Sequence, residues 1–434
     1  MIRRTGFAII GSMVYGLLES VILGFSTAII FFLLMITIIS SDILIFNLGH
    51  ASAMKLVSVS RDMKKPYSRK GEFVETVISF TNNSKLTLHF NYFDSLSSVF
   101  QTRGDFKGEI RLAPSETVVR KYSISATAIG RYEIGPLLMS ADDPLHLALA
   151  TYSLTANMEV KVAPSTSDTL GRRSERYSNL IYTRGLHISR KVGQGYNFYG
   201  IREYDTSDDF RYVAWSRYGI QDGEDLYIKQ MEEERQVDVV FVMDYSDSVN
   251  QGPPNHLLFD VMVSQVIAMS YGIVKNHDGV GFLLTSSNKT VYFKPEKNSR
   301  NIDRLEKAVS EMKPSGTFDI ADCLEKIKDN VRKEAIIFIL TPFGFPEKFN
   351  MEKSTVKHLG KKIILILINR SQFVPELKDQ VDQKLFMAAV TKEAAYTKAI
   401  AHFFNSIGIR SRQVNEKSIV PFIMGEYTYG KVTQ

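Results

Sequence analysis

Five residues in the middle of the chain, Asp244-Tyr245-Ser246-Asp247-Ser248, set one carboxylate and two hydroxyls two positions apart in the order D-x-S-x-S. Such groups in one loop can converge on a hard cation, since magnesium and calcium prefer oxygen ligands. Magnesium is the expected ion, with water and a partner's carboxylate completing its shell. The same residue types also cap helices and build turns, so the motif by itself leaves a purely local role open. A second loop, Lys313-Pro314-Ser315-Gly316-Thr317, precedes a helical pattern and can bring the Thr317 hydroxyl to the same place. A third, Leu340-Thr341-Pro342-Phe343-Gly344, ends an apolar run. Asp319 and Asp322 open a helical pattern and are expected to serve its dipole.

For these loops to meet, the segments between them must form a sheet with aligned strand ends. Apolar runs at Val237–Met243, Val280–Leu284, Ala335–Leu340 and Ile363–Ile368 alternate with helical patterns at 257–274, 302–309, 320–331, near 350–359 and about 377–406. Short buried strands separated by helices predict an α/β domain with a doubly wound, mostly parallel sheet. Ligands of such sheets sit beyond the carboxyl ends of the strands, where the first and third loops fall. Upstream, residues 165–190 are rich in Ser, Arg and Thr without apolar periodicity and read as a linker. Before that, Val74, Thr76, Ile78 and Phe80 alternate with polar neighbours, Asn82-Asn83-Ser84 makes a turn, and Leu86, Leu88, Phe90 and Tyr92 alternate again. This predicts a hairpin within a small β-sandwich over about 55–165, a spacer or docking module.

From Thr5 to Ser41 the only charged side chain is Glu19. One straight helix of that length would run to roughly 55 Å, against a hydrocarbon core of about 30 Å. The expectation is a transmembrane hairpin, with helices at Phe7–Leu18 and Val21–Ile39 and a tight turn near Glu19 and Ser20. Arg3 and Arg4 precede it, and Lys55, Arg61, Lys64, Lys65, Arg69 and Lys70 follow. Basic flanks on both sides place both ends in the cytoplasm. A signal peptide or one tilted helix, with the soluble part outside, is the competing expectation.

A chain of 434 residues calls for two or three cores. With Cys323 as the only cysteine, an internal disulfide and any multi-cysteine zinc site are excluded. No G-x-x-x-x-G-K-[ST], G-x-S-x-G or H-E-x-x-H pattern is present, which argues against nucleotide, serine-hydrolase and zincin chemistry. A net charge of +6 permits contact with an anionic surface without singling out nucleic acid, and no nucleic-acid partner is expected.

Asp244, Ser246, Ser248 and Thr317 resemble the metal-ion-dependent adhesion site of von Willebrand factor A domains, in which D-x-S-x-S, a loop threonine and a later aspartate surround magnesium. Here Pro342 stands where that aspartate is expected. The stretch Gly193-Gln194-Gly195-Tyr196-Asn197-Phe198-Tyr199-Gly200-Ile201-Arg202-Glu203-Tyr204, followed by Asp208-Asp209-Phe210-Arg211-Tyr212-Val213-Ala214-Trp215, resembles the signature of the domain of unknown function 58 family. That family places it just ahead of a von Willebrand A-like domain. The resemblance reaches Ala141-Asp142-Asp143-Pro144-Leu145-His146-Leu147-Ala148 and the paired apolar segments at the start. Ser207 replaces a usual glycine, Ala214 an acidic residue, and Tyr218-Gly219 the usual Ala-Arg. Arg202, Glu203, Asp208, Asp209 and Arg211 are expected to form a charge network beside Trp215, whose area would anchor the segment on the α/β domain. Together with Tyr204, this signature is read as structural, with a partner surface as the alternative.

The expected organisation is a hairpin anchor over 1–50, a β-sandwich over 51–165, a linker with the signature over 166–235, and a von Willebrand A-like domain over 236–434. The expected function is a membrane-anchored, non-enzymatic interaction module that grips partners through a divalent cation. The resemblance implies a MoxR-type AAA+ ATPase as partner, in assembling or maturing other complexes. The alternatives are an externally exposed adhesin and a metal-dependent hydrolase using Asp244.

Overall fold

The computed structural model describes residues 26–143, 147–165, 192–217, 226–232, 236–332, 334–342, 362–374 and 379–432, with 11, 14–19, 21, 22 and 145 besides. The expected linker at 166–190, the helix near 350–359, and residues Arg3, Arg4, Tyr218, Gly219, Phe343 and Gly344 lie outside the described residues. The chain divides into two compact units, Met1–Ala163 and Pro164–Gln434.

In the first unit, helix α1 (Ser26–Ile45) is predominantly apolar and continues through a π-helical turn (Phe46–Ala51) into α2 (Ser52–Met54). The expected end at Ile39 is passed because nothing beyond it stops a helix. The hydroxyls of Thr37 and Ser41 and the amide of Asn47 bond back to carbonyls of the preceding turn instead of competing for a turn of their own. Glu19 lies in helical backbone rather than in a turn, and Ser20 is outside the described residues. Leu33–Met54 is long and apolar enough to cross a membrane and is 11% buried. Leu258–Lys275 passes the same test but is 67% buried, as a core helix is.

Eleven strands follow: β1 (Val57–Met63), β2 (Tyr67–Arg69), β3 (Phe73–Asn82), β4 (Leu88–Asp94), β5 (Phe100–Gly104), β6 (Lys107–Leu112), β7 (Thr117–Ala126), β8 (Gly130–Ile134), β9 (Leu137–Asp142), β10 (Leu149–Leu154) and β11 (Met158–Ala163). They make two four-stranded sheets, β1-β3-β7-β5 and β10-β9-β4-β6, and a three-stranded one, β2-β11-β8. The alternation in β3 and β4 is real: Ile78, Phe80, Leu88 and Phe90 are buried. The expected hairpin is not formed, because β3 pairs with β1 and β7 while β4 pairs with β6 and β9. Asn82 turns the corner between the sheets. Its fully buried amide donates to the carbonyls of Leu86 and Ala113, and its Oδ1 accepts from the Ser84 N–H and hydroxyl. The two apolar faces then meet across a shared core, with the Phe80 and Tyr92 rings 5.1 Å apart. Arg61 and Asp94 form an ion pair buried in this unit, and the Tyr122 hydroxyl donates to the same carboxylate at 2.5 Å.

The second unit begins with an antiparallel pair, β12 (Val192–Glu203) and β13 (Tyr227–Glu232). Six strands follow: β14 (Asp238–Asp244), β15 (Gly279–Thr285), β16 (Thr290–Glu296), β17 (Ile336–Thr341), β18 (Lys362–Ile368) and β19 (Arg410–Val414). They form one sheet in the order β16-β15-β14-β17-β18-β19, parallel throughout except for β16. Its helices are α3 (Leu258–Lys275), α4 (Arg300–Glu311), α5 (Ile320–Asn330), α6 (Gln380–Ser406) and α7 (Ile419–Val432). Every residue of β15 and β17 is buried, since helices cover both faces: α5 and α6 share a core with Val240, Val242, Ile337 and Ile339, while α3 and α7 pack against β15, β17 and β18. The pair β12–β13 lies within the stretch expected to be a linker, and two strands of the six-stranded sheet also went unread in the sequence. β16 turns back along the sheet edge, and β19 (RSRQV) carries polar residues where the other parallel strands are apolar.

Candidate functional site

Strand β14 ends at Asp244, and the chain then enters a single 3-10 turn, Asp247–Val249. That turn lets the next two hydroxyls fold back on the carboxylate. Oδ1 of Asp244 accepts from the Ser246 N–H at 2.9 Å and the Ser246 hydroxyl at 2.6 Å. Its Oδ2 accepts from the Ser248 hydroxyl at 3.1 Å and from Thr341, at the end of β17, at 2.7 Å. The two serine oxygens are themselves 2.8 Å apart. Three of the predicted residues are thus in mutual contact, and Thr341 joins them.

Asp244 is only 1% exposed, and no cation of the chain pairs with it among the described residues. Burial pushes its carboxyl above the ordinary carboxylate range, and the hydrogen bonds from Ser246, Thr341 and Ser248 pull against that shift. A buried acid held only by neutral donors, three hydroxyls and one backbone N–H, is an incompletely neutralised charge.

Thr317 is exposed and is placed by backbone rather than by side chain. Its N–H donates to the Ser287 hydroxyl at 3.0 Å, and its carbonyl accepts from the Ser287 N–H at 2.8 Å. One residue earlier, the Gly316 N–H donates to Asp247 Oδ2 and the Gly316 carbonyl accepts from the Asp247 N–H, both at 3.0 Å. This reciprocal pair ties the Thr317 loop to the D-x-S-x-S loop. Gly316 has φ +83°, and a Cβ there would lie 2.5 Å from the Ser287 hydroxyl, so the joint requires glycine. Asp319 caps α5 by accepting from the Ala321 N–H, and Asp322 pairs with Lys326 at 2.5 Å, so neither reaches the cluster. Lys326 also donates to Thr285 at the end of β15. Cys323 is fully buried on α5, its thiol pushed far up by burial and by the nearby Asp244 charge.

As a donor set, one carboxylate and the hydroxyls of Ser246, Ser248 and Thr341 fit a hard, oxygen-seeking cation. Among the described residues no group of three His, Cys, Asp or Glu side chains is placed to hold a metal, so a soft or imidazole-preferring ion has no such site there. Thr341 carries no signal in the spacing of the sequence. The register of β14 with β17, which pairs Met243 with Leu340, is what brings Thr341 level with Asp244.

The signature segment does not form one charge network. Arg202 pairs with Asp208 and Arg211 with Asp209, as two separate exposed ion pairs. Each holds its aspartate below the usual carboxylate range through the arginine's hydrogen bond. Arg202 also bonds the Glu203 carbonyl at 2.9 Å. Trp215 is 58% exposed and does not serve as the expected buried anchor; Val213 and Ala214 are buried instead, and Val213 bridges Ile228 of β13. The rings of Tyr204, Phe210 and Trp215 lie in sequence, 5.2 and 6.4 Å apart.

No curated protein matches the chain. Among solved structures it is similar to the SpRpn10 VWA domain, at 10% identity and TM-score 0.27, over 44% of this chain and 95% of that one. It is similar to a FixG-related protein from Vibrio parahaemolyticus at 10% identity and TM-score 0.18, covering 24% of this chain and 94% of that one. A CARDB domain from Pyrococcus furiosus, in complex with di-metal ions, gives 13% identity and TM-score 0.17, over 25% of this chain and 94% of that one. Residues 200–382 match the family model described as protein of unknown function DUF58, a stretch that runs from Gly200 in β12 into the first turn of α6.

Proposed function

We propose that this chain is a membrane-anchored, non-enzymatic interaction module whose second unit, a doubly wound von Willebrand A-like domain, engages a protein partner through a divalent cation. The observation that carries the reading is the Asp244 carboxylate, buried at a strand end and met by the hydroxyls of Ser246, Ser248 and Thr341 and the Ser246 N–H, with no cation of the chain paired with it among the described residues. Those four residues would hold magnesium, and Thr317, whose loop is tied to theirs by the Gly316–Asp247 joint, would join from its own loop. When bound, the ion offers a coordination position to a partner's carboxylate. The chain's own part is to present hard oxygens with a single anionic charge, so that the ion keeps a net positive charge toward the partner. Pro342 adds no acid, and the partner's carboxylate takes that place.

We read the first unit as a β-sandwich spacer and the apolar helix through Leu33–Met54 as part of a two-helix anchor with both units on the cytoplasmic side; the basic residues flanking the apolar segment support this. The partner implied by the family resemblance is a MoxR-type AAA+ ATPase. The test is retention of such an ATPase by the full-length chain in detergent with magnesium, beside Asp244→Ala and an EDTA control. Retention lost in both controls supports the reading; equal retention in all three refutes a metal-bridged contact.

A further inference from the structure

The β19 end of the sheet holds a cleft of about 690 Å³ that plays no part in the Asp244 cluster. It is lined by Arg412, Gln413 and Val414 of β19, by Phe422 and Gly425 of α7, and by Asn369 just beyond β18, among others. Three features of this lining point outward, to something the described residues do not supply.

The first is Arg412. Arg410 pairs with Glu426 at 2.9 Å and lies over the Tyr429 ring. Arg412 is exposed, lies 5.6 Å over Phe422, and makes no side-chain hydrogen bond or ion pair among the described residues. The second is the strand edge. β19 is the last strand, and the outward backbone groups of Ser411 are taken by Asn405, whose Oδ1 accepts from the Ser411 N–H and whose Nδ2 donates to its carbonyl. Backbone groups alternate sides along a strand, so Gln413 also points its N–H and C=O outward, while the Val414 carbonyl points back and accepts from the Asn369 N–H. The Gln413 pair meets no side-chain cap among the described residues. The third is Gly425. Glycine weakens a helix relative to alanine, yet a Cβ here would meet nothing within 4 Å. No neighbour in the fold requires that glycine, but it leaves the cleft floor open.

We propose that this cleft docks an extended segment of a protein partner that carries a carboxylate. Its backbone adds to the sheet edge at Gln413, its carboxylate meets Arg412, and a side chain enters over Gly425 against Phe422. Strand addition supplies affinity through main-chain hydrogen bonds, and an unpaired guanidinium selects an acid through a charge-assisted bond. The cleft lies three strand spacings from β14, about 14 Å along the same edge of the sheet, so one partner can reach both it and the Asp244 loop. It needs no cation and stands apart from that reading.

The test immobilises the full-length chain in detergent micelles and offers a hexapeptide pool of uncharged residues ending in a free carboxylate, beside the same pool amidated. The expected result is retention of the free-acid pool about tenfold or more above the amidated one. Arg412→Gln abolishes that preference and Gly425→Trp abolishes retention, while Asp244→Ala and EDTA leave both unchanged. Gly425→Ala, which has room, keeps binding and thermal stability and controls for folding; if Gly425→Trp does not fold, Arg412→Gln decides alone. Equal retention of the two pools, binding undiminished in a folded Gly425→Trp or in Arg412→Gln, or full displacement by acetate at matched carboxylate concentration overturns the proposal.

Discussion

Asp244 carries a cost that its neighbours only partly offset. Its raised value means that the folded chain takes up a proton there more readily than the unfolded chain does. The associated stability is full below the ordinary carboxylate range and is lost as pH rises through the folded-state value. Asp244→Asn removes the charge while the Ser248 and Thr341 hydroxyls rotate to accept from the new amide. By calorimetry without divalent cations, the variant should therefore melt above wild type at neutral pH, and the gap should close on acidification. Magnesium should raise the wild-type Tm at neutral pH and leave the variant unmoved. Cys323 gives an independent check at the same strand ends. Its thiol is fully buried and pushed up in pKa, so a thiol-specific reagent should modify it only at the rate of global unfolding. Rapid labelling of the native chain would mean that α5 opens by itself.

Elements are held by a few buried polar contacts between segments distant in sequence. Asp278, fully buried before β15, accepts from the Val237 N–H at 3.0 Å, from Lys431 at 2.8 Å and from the Tyr427 hydroxyl, and so pins α7 to the base of the sheet. Asp278→Ala strands a lysine and a tyrosine hydroxyl and should cost about 3 kcal/mol or more in denaturant unfolding. Asn82→Ala leaves the carbonyls of Leu86 and Ala113 without that donor and should cost about 2 kcal/mol. These contacts explain what the sequence conveyed and what it did not. Apolar runs announce buried strands, so β14, β15, β17 and β18 were legible. β19 was not, because an edge strand is half solvated and can be written RSRQV. Alternation located β3 and β4 but not their partners, since a turn between two alternating runs suits a sheet-to-sheet corner as well as a hairpin. At the site, Ser246 and Ser248 were legible from spacing alone. Thr341 depended on strand register, which spacing does not carry.

At the scale of the molecule, two units and an apolar helix rich in exposed side chains share one chain. If the anchor and basic flanks orient the chain as proposed, protease added to sealed right-side-out vesicles should spare the carboxyl terminus, and permeabilisation should expose it. Cleavage in intact vesicles would favour an external chain. Trp215, the single tryptophan, stands exposed on the β12–β13 hairpin rather than in either core. Folding is therefore nearly silent in the tryptophan fluorescence. The emission should already be water-like in the native state, and heating the sheet domain should change it little. A spectral shift in the folded chain would instead report a body arriving at the hairpin, so the one indole is a built-in sensor of company rather than of integrity.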